Sequence, residues 1–324
     1  MCSLSVATNV LKSFETSSSI GMFARDTGGC LISRLGLSRS QDEAKEVSFA
    51  EISESILFYL CTPILTKSTS KIFSKYPNKQ LGKFGQIIST FGIILPAVFA
   101  IAPLRNLMTY SKSGKKKFTR VIGLESQEKQ TKEKETKEKI LKLTKTLTGI
   151  SASIIGTGIA TMVLGKNPNI YKKIEPFIDK TVKYLKFTEK NDLKLIHYGA
   201  LIYPVSIASY FYASRDKYEK QENARRFAIT VPLMFFGEKL IQNPIYQKFD
   251  KIFKTNVMKN GNIKSYKEIL SLPKEQQKQM FKSKNWAYGL TFFTNTIAIA
   301  GAVALLNRIA TKQKFKHDNM EKIK

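Results

Sequence analysis

The sequence predicts an all-α, polytopic membrane protein, a transmembrane helical bundle with four firm spans, six at most, and basic helical extramembrane loops. Three observations predict it. Four runs of about 20 residues contain no Lys, Arg, Asp or Glu, the length that crosses a hydrocarbon core as a helix. A basic residue lies at or just beyond each end of every run. The segments between the runs are dense in lysine, so that 324 residues carry 53 Lys+Arg against 25 Asp+Glu and a net charge of +28.

Residues 1–50 form a flexible amino-terminal arm in this reading. The first stretch is Ser-rich with Lys12, Arg25, Arg34 and Arg39, but Glu15 and Asp26 argue against an organellar transit peptide. No apolar run of secretory type occurs in residues 1–23. Cys2, Cys30 and Cys61 form no C-x-x-C pair, which fits reduced thiols better than a disulfide framework.

Residues 51–165 form the first membrane half. It begins with a short apolar run, Ser55–Thr66, too short to span alone. The span Phe84–Leu104 follows, closed by Lys83 and Arg105 and expected to kink at Pro96. Residues 125–145 hold five Glu→Lys pairs four apart, including Glu133/Lys137 and Glu138/Lys142, the orientation that supports a solvated helix. That helix is expected to run unbroken into the second span, Thr146–Gly165. There Ala152, Gly156 and Ala160 recur every four residues, a spacing that lets helix backbones approach closely in lipid.

Residues 166–194 are read as a basic amphipathic linker. Ile170, Ile174, Phe177, Ile178, Val182 and Leu185 share one side of a helix; Lys172, Lys173, Lys180, Lys183 and Lys186 share the other. Such a helix suits the plane of a membrane surface. The rival reading packs its apolar side against other helices.

The second membrane half, 195–307, opens with the span Leu195–Ser214, which holds His197 and Pro204. A second short apolar run, Phe227–Gly237, follows. Asn260-Gly261 marks a turn, Ser265 and Glu268 fit a capping box, and Pro273 suits the first turn of a further short helix, together a helical cap over 260–284. The last span is Trp286–Asn307, where Ala298 and Ala302 repeat the small-residue spacing. Residues 308–324 are a basic tail. Thr62-Pro63-Ile64-Leu65-Thr66-Lys67 also resembles Asn243-Pro244-Ile245-Tyr246-Gln247-Lys248, which raises an internal duplication against chance.

Function is only bounded. Uncharged spans beside basic loops make anionic headgroups, rather than nucleic acid, the expected partner of the positive charge. The alternative is that lysine merely keeps the loops soluble. No G-x-G-x-x-G, Walker loop, H-E-x-x-H, paired-cysteine site or G-x-S-x-G occurs, and His197 and His317 are the whole histidine complement. The expectation is therefore a protein without cofactor or metal and without catalysis, which organises a membrane or binds anionic lipid or a partner. A transporter or channel for an ion or small anion is the alternative, and a membrane enzyme a weaker one. Glu54, Arg225, Arg226 and Glu238 flank the two short apolar runs and are the candidate polar membrane site, against the plainer reading of residues marking the membrane edge. The expected location is a bacterial cytoplasmic membrane or an organelle membrane. Every loop is net basic, so charge does not orient the chain.

Overall fold

The computed structural model describes residues 31–125, 133–188, 193–232, 238–259, 261–294 and 299–321, with residues 8, 9, 11, 23 and 28 of the amino-terminal stretch. Apart from one two-stranded ladder the described elements are helices, so the protein is all-α. In chain order the first elements are α1 (Ile32–Gly36), α2 (Gln41–Ile56), a π-turn (Leu57–Cys61), α3 (Thr62–Phe73), α4 (Lys79–Ser113), α5 (Phe118–Val121), α6 (Glu133–Leu164) and α7 (Pro168–Leu185). Then follow α8 (Leu195–His197), a second π-turn (Tyr198–Ile202), α9 (Tyr203–Tyr212), α10 (Lys217–Pro232), α11 (Glu238–Phe253), β1 (Met258–Lys259), β2 (Asn262–Ile263), α12 (Tyr266–Leu270), α13 (Lys274–Phe293) and α14 (Ile299–Glu321). The chain divides into two compact units, Ser40–Lys220 and Met1–Arg39 with Gln221–Lys324.

Three helices among the described residues are long and apolar enough to cross a membrane: Gln41–Phe73, α4 and the stretch Leu141–Leu164 of α6. Two of the four runs expected to span, Leu195–Ser214 and Trp286–Asn307, are not among these three. Phe84–Leu104 and Thr146–Gly165 do fall on α4 and α6. The run Ser55–Thr66, however, is the middle of an unbroken helix of 33 residues, because α2 and α3 extend it on both sides. Leu195–Ser214 is continuously helical through the second π-turn as far as Tyr212, and His197 and four tyrosines lower its apolarity. Trp286–Asn307 is divided between α13, whose first half is lysine-rich, and α14, whose last half is charged. Residues 295–298, Ala298 among them, lie outside the described residues.

Both π-turns sit just ahead of a proline, Pro63 or Pro204, which has no N–H to give to the helical ladder. Thr62 N–H reaches back five residues to Leu57 O, and its Oγ1 donates to the same carbonyl at 2.7 Å. Tyr203 N–H reaches back to Tyr198 O in the same way. The rings of Phe58 and Tyr198, one from each π-turn, meet edge-on at 6.2 Å.

Helix α4 is the axis of the Ser40–Lys220 unit. It has 35 residues, about 52 Å at the helical rise, well beyond a hydrocarbon core of about 30 Å. Its most apolar stretch is 61% buried. Helix α3 meets it along a seam of buried threonines, not leucines. Thr66 and Thr69 return their hydroxyls to carbonyls a turn back, and Thr69 Oγ1 lies 2.9 Å from Thr90 Oγ1. Such hydroxyls are self-satisfied and small, which suits close packing without water.

Helix α6 runs antiparallel to α4 in a fixed register. Gly158 sits under Ile88, Gly92 under Ile155, Gly85 under Met162 and Gly165 under Leu81. A Cβ at Gly92 would lie 2.7 Å from Ile155 Cγ1, so these glycines are what permits the approach. Ala152, Gly156 and Ala160 are all exposed, and a Cβ at Gly156 would meet nothing within 4 Å. Gly156 is two residues from Gly158, about 200° round the helix, so only one of the two small-residue faces can meet α4.

The rest of α6 is apolar and bare. Only 11% of its stretch Leu141–Leu164 is buried, and Ile150, Ile159, Val163 and Leu164 are exposed. A helix apolar all round belongs inside a core or inside a bilayer. Leaving such side chains against water forgoes about 1.5–3 kcal/mol each.

Helix α7 lies against the amino-terminal third of α4. Ile178 and Val182 are buried with Leu81, Phe84, Ile87 and Phe91, with Tyr171, Ile174 and Leu185 at the margin. Apart from Phe177, 61% exposed, the apolar side of this amphipathic helix is thus packed against protein. The segment after it is pinned by His197, fully buried, whose Nδ1 accepts from Lys194 N–H at 2.9 Å while Nε2 lies 3.0 Å from Leu185 O.

In the other unit, α11 packs on α13 around Tyr246, Val257, Ile269, Met280 and Ala287. Asp250 accepts from Val257 N–H at 2.9 Å and Met258 N–H at 2.7 Å, holding the β1–β2 hairpin, whose turn has Gly261 at φ +77°. Ser265 and Glu268 do form a capping box on α12. Pro273 caps a helix of 20 residues, not a short one, so the cap runs directly into the region expected to span. The resembling hexapeptides sit differently: Thr62–Lys67 opens α3, whereas Asn243–Lys248 lies inside α11.

Candidate functional site

The lysine face of α7 is built by helical spacing. Lys172, Lys173, Lys180, Lys183 and Lys186 are all exposed, while the opposite side is anchored on α4. Phe177, 61% exposed, and Tyr184, 54% exposed, stand beside them. The arrangement presents ammonium groups with two aromatic rings, the composition of an interfacial helix. Its anchor on α4 starts at Leu81, next to Lys83, where the uncharged run of α4 begins.

The residues of the candidate polar site belong to several helices and to both units. Glu54 belongs to α2 and accepts from Tyr210 Oη at 3.1 Å. Arg225 belongs to the other unit, where its Nε donates to Asn307 Oδ1 and its Nη2 to Thr311 Oγ1, each at 2.9 Å. Arg226 stacks on Phe227 at 4.5 Å. The side chain of Glu238 lies outside the described residues. Ala302 is exposed on α14.

The structure instead assembles a charge cluster that sequence reasoning did not find. Arg215 forks onto Glu46 at 2.7 and 2.9 Å and onto Glu219 at 2.9 and 3.0 Å. Arg105 Nη2 donates to Glu219 at 2.5 Å, and its Nε lies 3.8 Å from Glu46. All four side chains are at most 8% exposed. Two positive and two negative groups cancel. Arg105 also stacks over Tyr210 at 5.3 Å, and Arg215 over Phe118 at 5.6 Å. Burial pushes the Glu219 carboxyl up, but Arg215 and Arg105 beside it prevail and hold it down to about 2. Burial likewise works against the Arg215 charge, and Glu219 and Glu46 override it, so its pKa is raised. Asp216 caps α10 and places Glu219, accepting from the N–H groups of Tyr218 and Glu219 at 3.0 Å. Four charges so closed on one another tie α2, α4 and α10 together and leave no acid or base poised for reaction.

The signal for this cluster was present in the choice of basic residue. In a lysine-dominated chain, the uncharged runs 84–104 and 195–214 are followed by Arg105 and Arg215, the side chain that forks onto carboxylates. A further group, His317, Asp318 and Glu321 at the end of α14, brings possible ligand atoms within 4.8 Å, but Lys314 already sits 3.1 Å from Asp318. No protein-family model, curated protein or solved structure matches this chain.

Proposed function

We propose that this protein is a multi-pass membrane protein that gathers anionic lipid through the lysine face of α7 and organises the membrane around it without catalysis. The observation that carries the proposal is the pairing of two surfaces in one unit. Helix α6 offers an apolar surface that only lipid or another apolar partner satisfies, and α7 with the residue after it offers five exposed lysines, four on the helix and Lys186 at its end. Each lysine near an anionic leaflet contributes about 1 kcal/mol, a term that falls with added salt.

The test uses the full chain reconstituted in phosphatidylcholine bilayers containing phosphatidylserine. Spin-labelled phosphatidylserine is expected to be retained at the protein surface in preference to spin-labelled phosphatidylcholine. The preference should weaken with salt and largely vanish in Lys172→Gln/Lys173→Gln/Lys180→Gln/Lys183→Gln. Equal retention of both lipids by the parent protein rejects the proposal.

Passage of an ion or small anion is a second reading, favoured by the two π-turns that meet at Phe58 and Tyr198, since such turns concentrate at functional sites. Proteoliposomes should then pass chloride or phosphate faster than protein-free vesicles, and Tyr198→Ala should slow them. Absence of flux removes this reading.

A further inference from the structure

The ends of α3, α4 and α7 surround a half-open groove of about 740 Å³ within the Ser40–Lys220 unit. Lys79 and Lys83 enter it from the first turns of α4, and Lys186 and Lys194 from the segment that follows α7. Ser70 and Ser74 add hydroxyls from the end of α3. Phe73 and Phe187 form an apolar wall. Among the described residues its lining includes four lysines and no acid.

Four like charges gathered in one concavity repel one another, and a low-dielectric wall concentrates their field. An anion relieves that repulsion. Ammonium groups only donate, so the occupant must be rich in acceptors. A carboxylate offers two oxygens and one charge; a phosphate monoester offers three terminal oxygens and nearly two charges. The first turn of α4 adds the positive end of a helix dipole at the same place. The volume is that of an ordinary ligand pocket and exceeds what a phosphate alone fills, and the phenylalanine wall suits an apolar remainder.

We propose that this groove binds a phosphate monoester, with the phosphoryl group held by Lys79, Lys83, Lys186 and Lys194 and the apolar part of the ligand laid on Phe73 and Phe187. The ligand is a phospholipid headgroup or a soluble phosphorylated compound. The inference deepens the anionic-lipid reading, with which it shares Lys186. The variants below leave Lys186 in place so that the two can fail separately.

Full-length protein is titrated with inorganic phosphate in detergent, and in phosphatidylcholine nanodiscs with phosphatidic acid, a monoester, or phosphatidylserine, a diester. Saturable binding of a monoester probe is expected. Phosphatidic acid without inorganic phosphate assigns a lipid; inorganic phosphate in detergent assigns a soluble ligand. Lys79→Gln/Lys83→Gln/Lys194→Gln should weaken that binding roughly a hundred-fold, and the corresponding triple arginine variant should retain it. Should the triple glutamine variant unfold, Lys83→Gln and Lys194→Gln singly carry the test, each weakening binding about five-fold. Unchanged affinity in the folded glutamine variants, or no saturable binding of either inorganic phosphate or phosphatidic acid, overturns the proposal. The quadruple α7 variant Lys172→Gln/Lys173→Gln/Lys180→Gln/Lys183→Gln should keep the groove intact. If that variant also keeps its phosphatidylserine preference, the lipid-gathering reading fails while the groove stands.

Discussion

Arg215→Met should cost the Ser40–Lys220 unit about 3–5 kcal/mol, the largest effect expected of any single substitution outside the helix cores. It removes one cation from a neutral set of four and leaves Glu46 and Glu219, both nearly buried, facing only Arg105. Thermal unfolding in detergent measures the loss. Glu219→Gln should cost less, because the amide still accepts from the Arg215 backbone N–H, now 2.8 Å away. The acid limb follows from the same contacts. Glu219 titrates at about 2 in the folded chain and near 4.5 without its partners. A depressed carboxyl stabilises above its unfolded value and loses that contribution as pH falls through the folded one. The parent protein should therefore weaken steadily from pH 4.5 toward 2, and Glu219→Gln should flatten that part of the curve. A parent and variant with parallel acid limbs would show that Glu219 is not held by its arginines.

Gly158→Val should separate α6 from α4. A Cβ at Gly158 already collides with Ile88, and the colliding atoms include the branch of that side chain near its own backbone, which cannot swing aside. Overpacking of this kind costs about 1–3 kcal/mol, and valine adds two methyl groups beyond the Cβ. Ile88→Ala in the same chain should recover much of the loss, because it empties the space the new side chain needs. Gly156→Val is the control: its face is open, and stability should stay within about 0.5 kcal/mol of the parent. Cross-linking between cysteines placed at 92 and 155 reports the same separation directly. If Gly156→Val and Gly158→Val behave alike, the register of α6 on α4 is wrong.

Local signals were the ones legible in the sequence. The uncharged runs of α4 and α6 declared themselves because every residue within them avoids charge. The lysine face of α7, the unbroken passage of the Glu/Lys-rich segment from Glu133 into α6, and the Ser265/Glu268 cap depend on neighbours within one or two turns. Locality alone left Ser55–Thr66 open between a surface segment and part of a longer span. A run of mild apolarity looked short because Glu51 and Glu54 precede it and Lys67 follows it, yet α2 and α3 carry the helix through both.

The sequence by itself determined that this chain is helical, that α4 and α6 can cross a bilayer, and that its lysines collect on one side of α7, since spacing and charge settle those within a single helix. Only the tertiary structure decided which glycines of α6 meet α4, that the apolar side of α7, Phe177 apart, is packed against protein, that Lys79, Lys83, Lys186 and Lys194 share a groove, and that Glu46, Arg105, Arg215 and Glu219 neutralise one another. These arrangements join different helices, and Glu46 and Arg215 stand 169 positions apart. The free energy of burying charge depends on what lies opposite, and no helix carries that information about its neighbour.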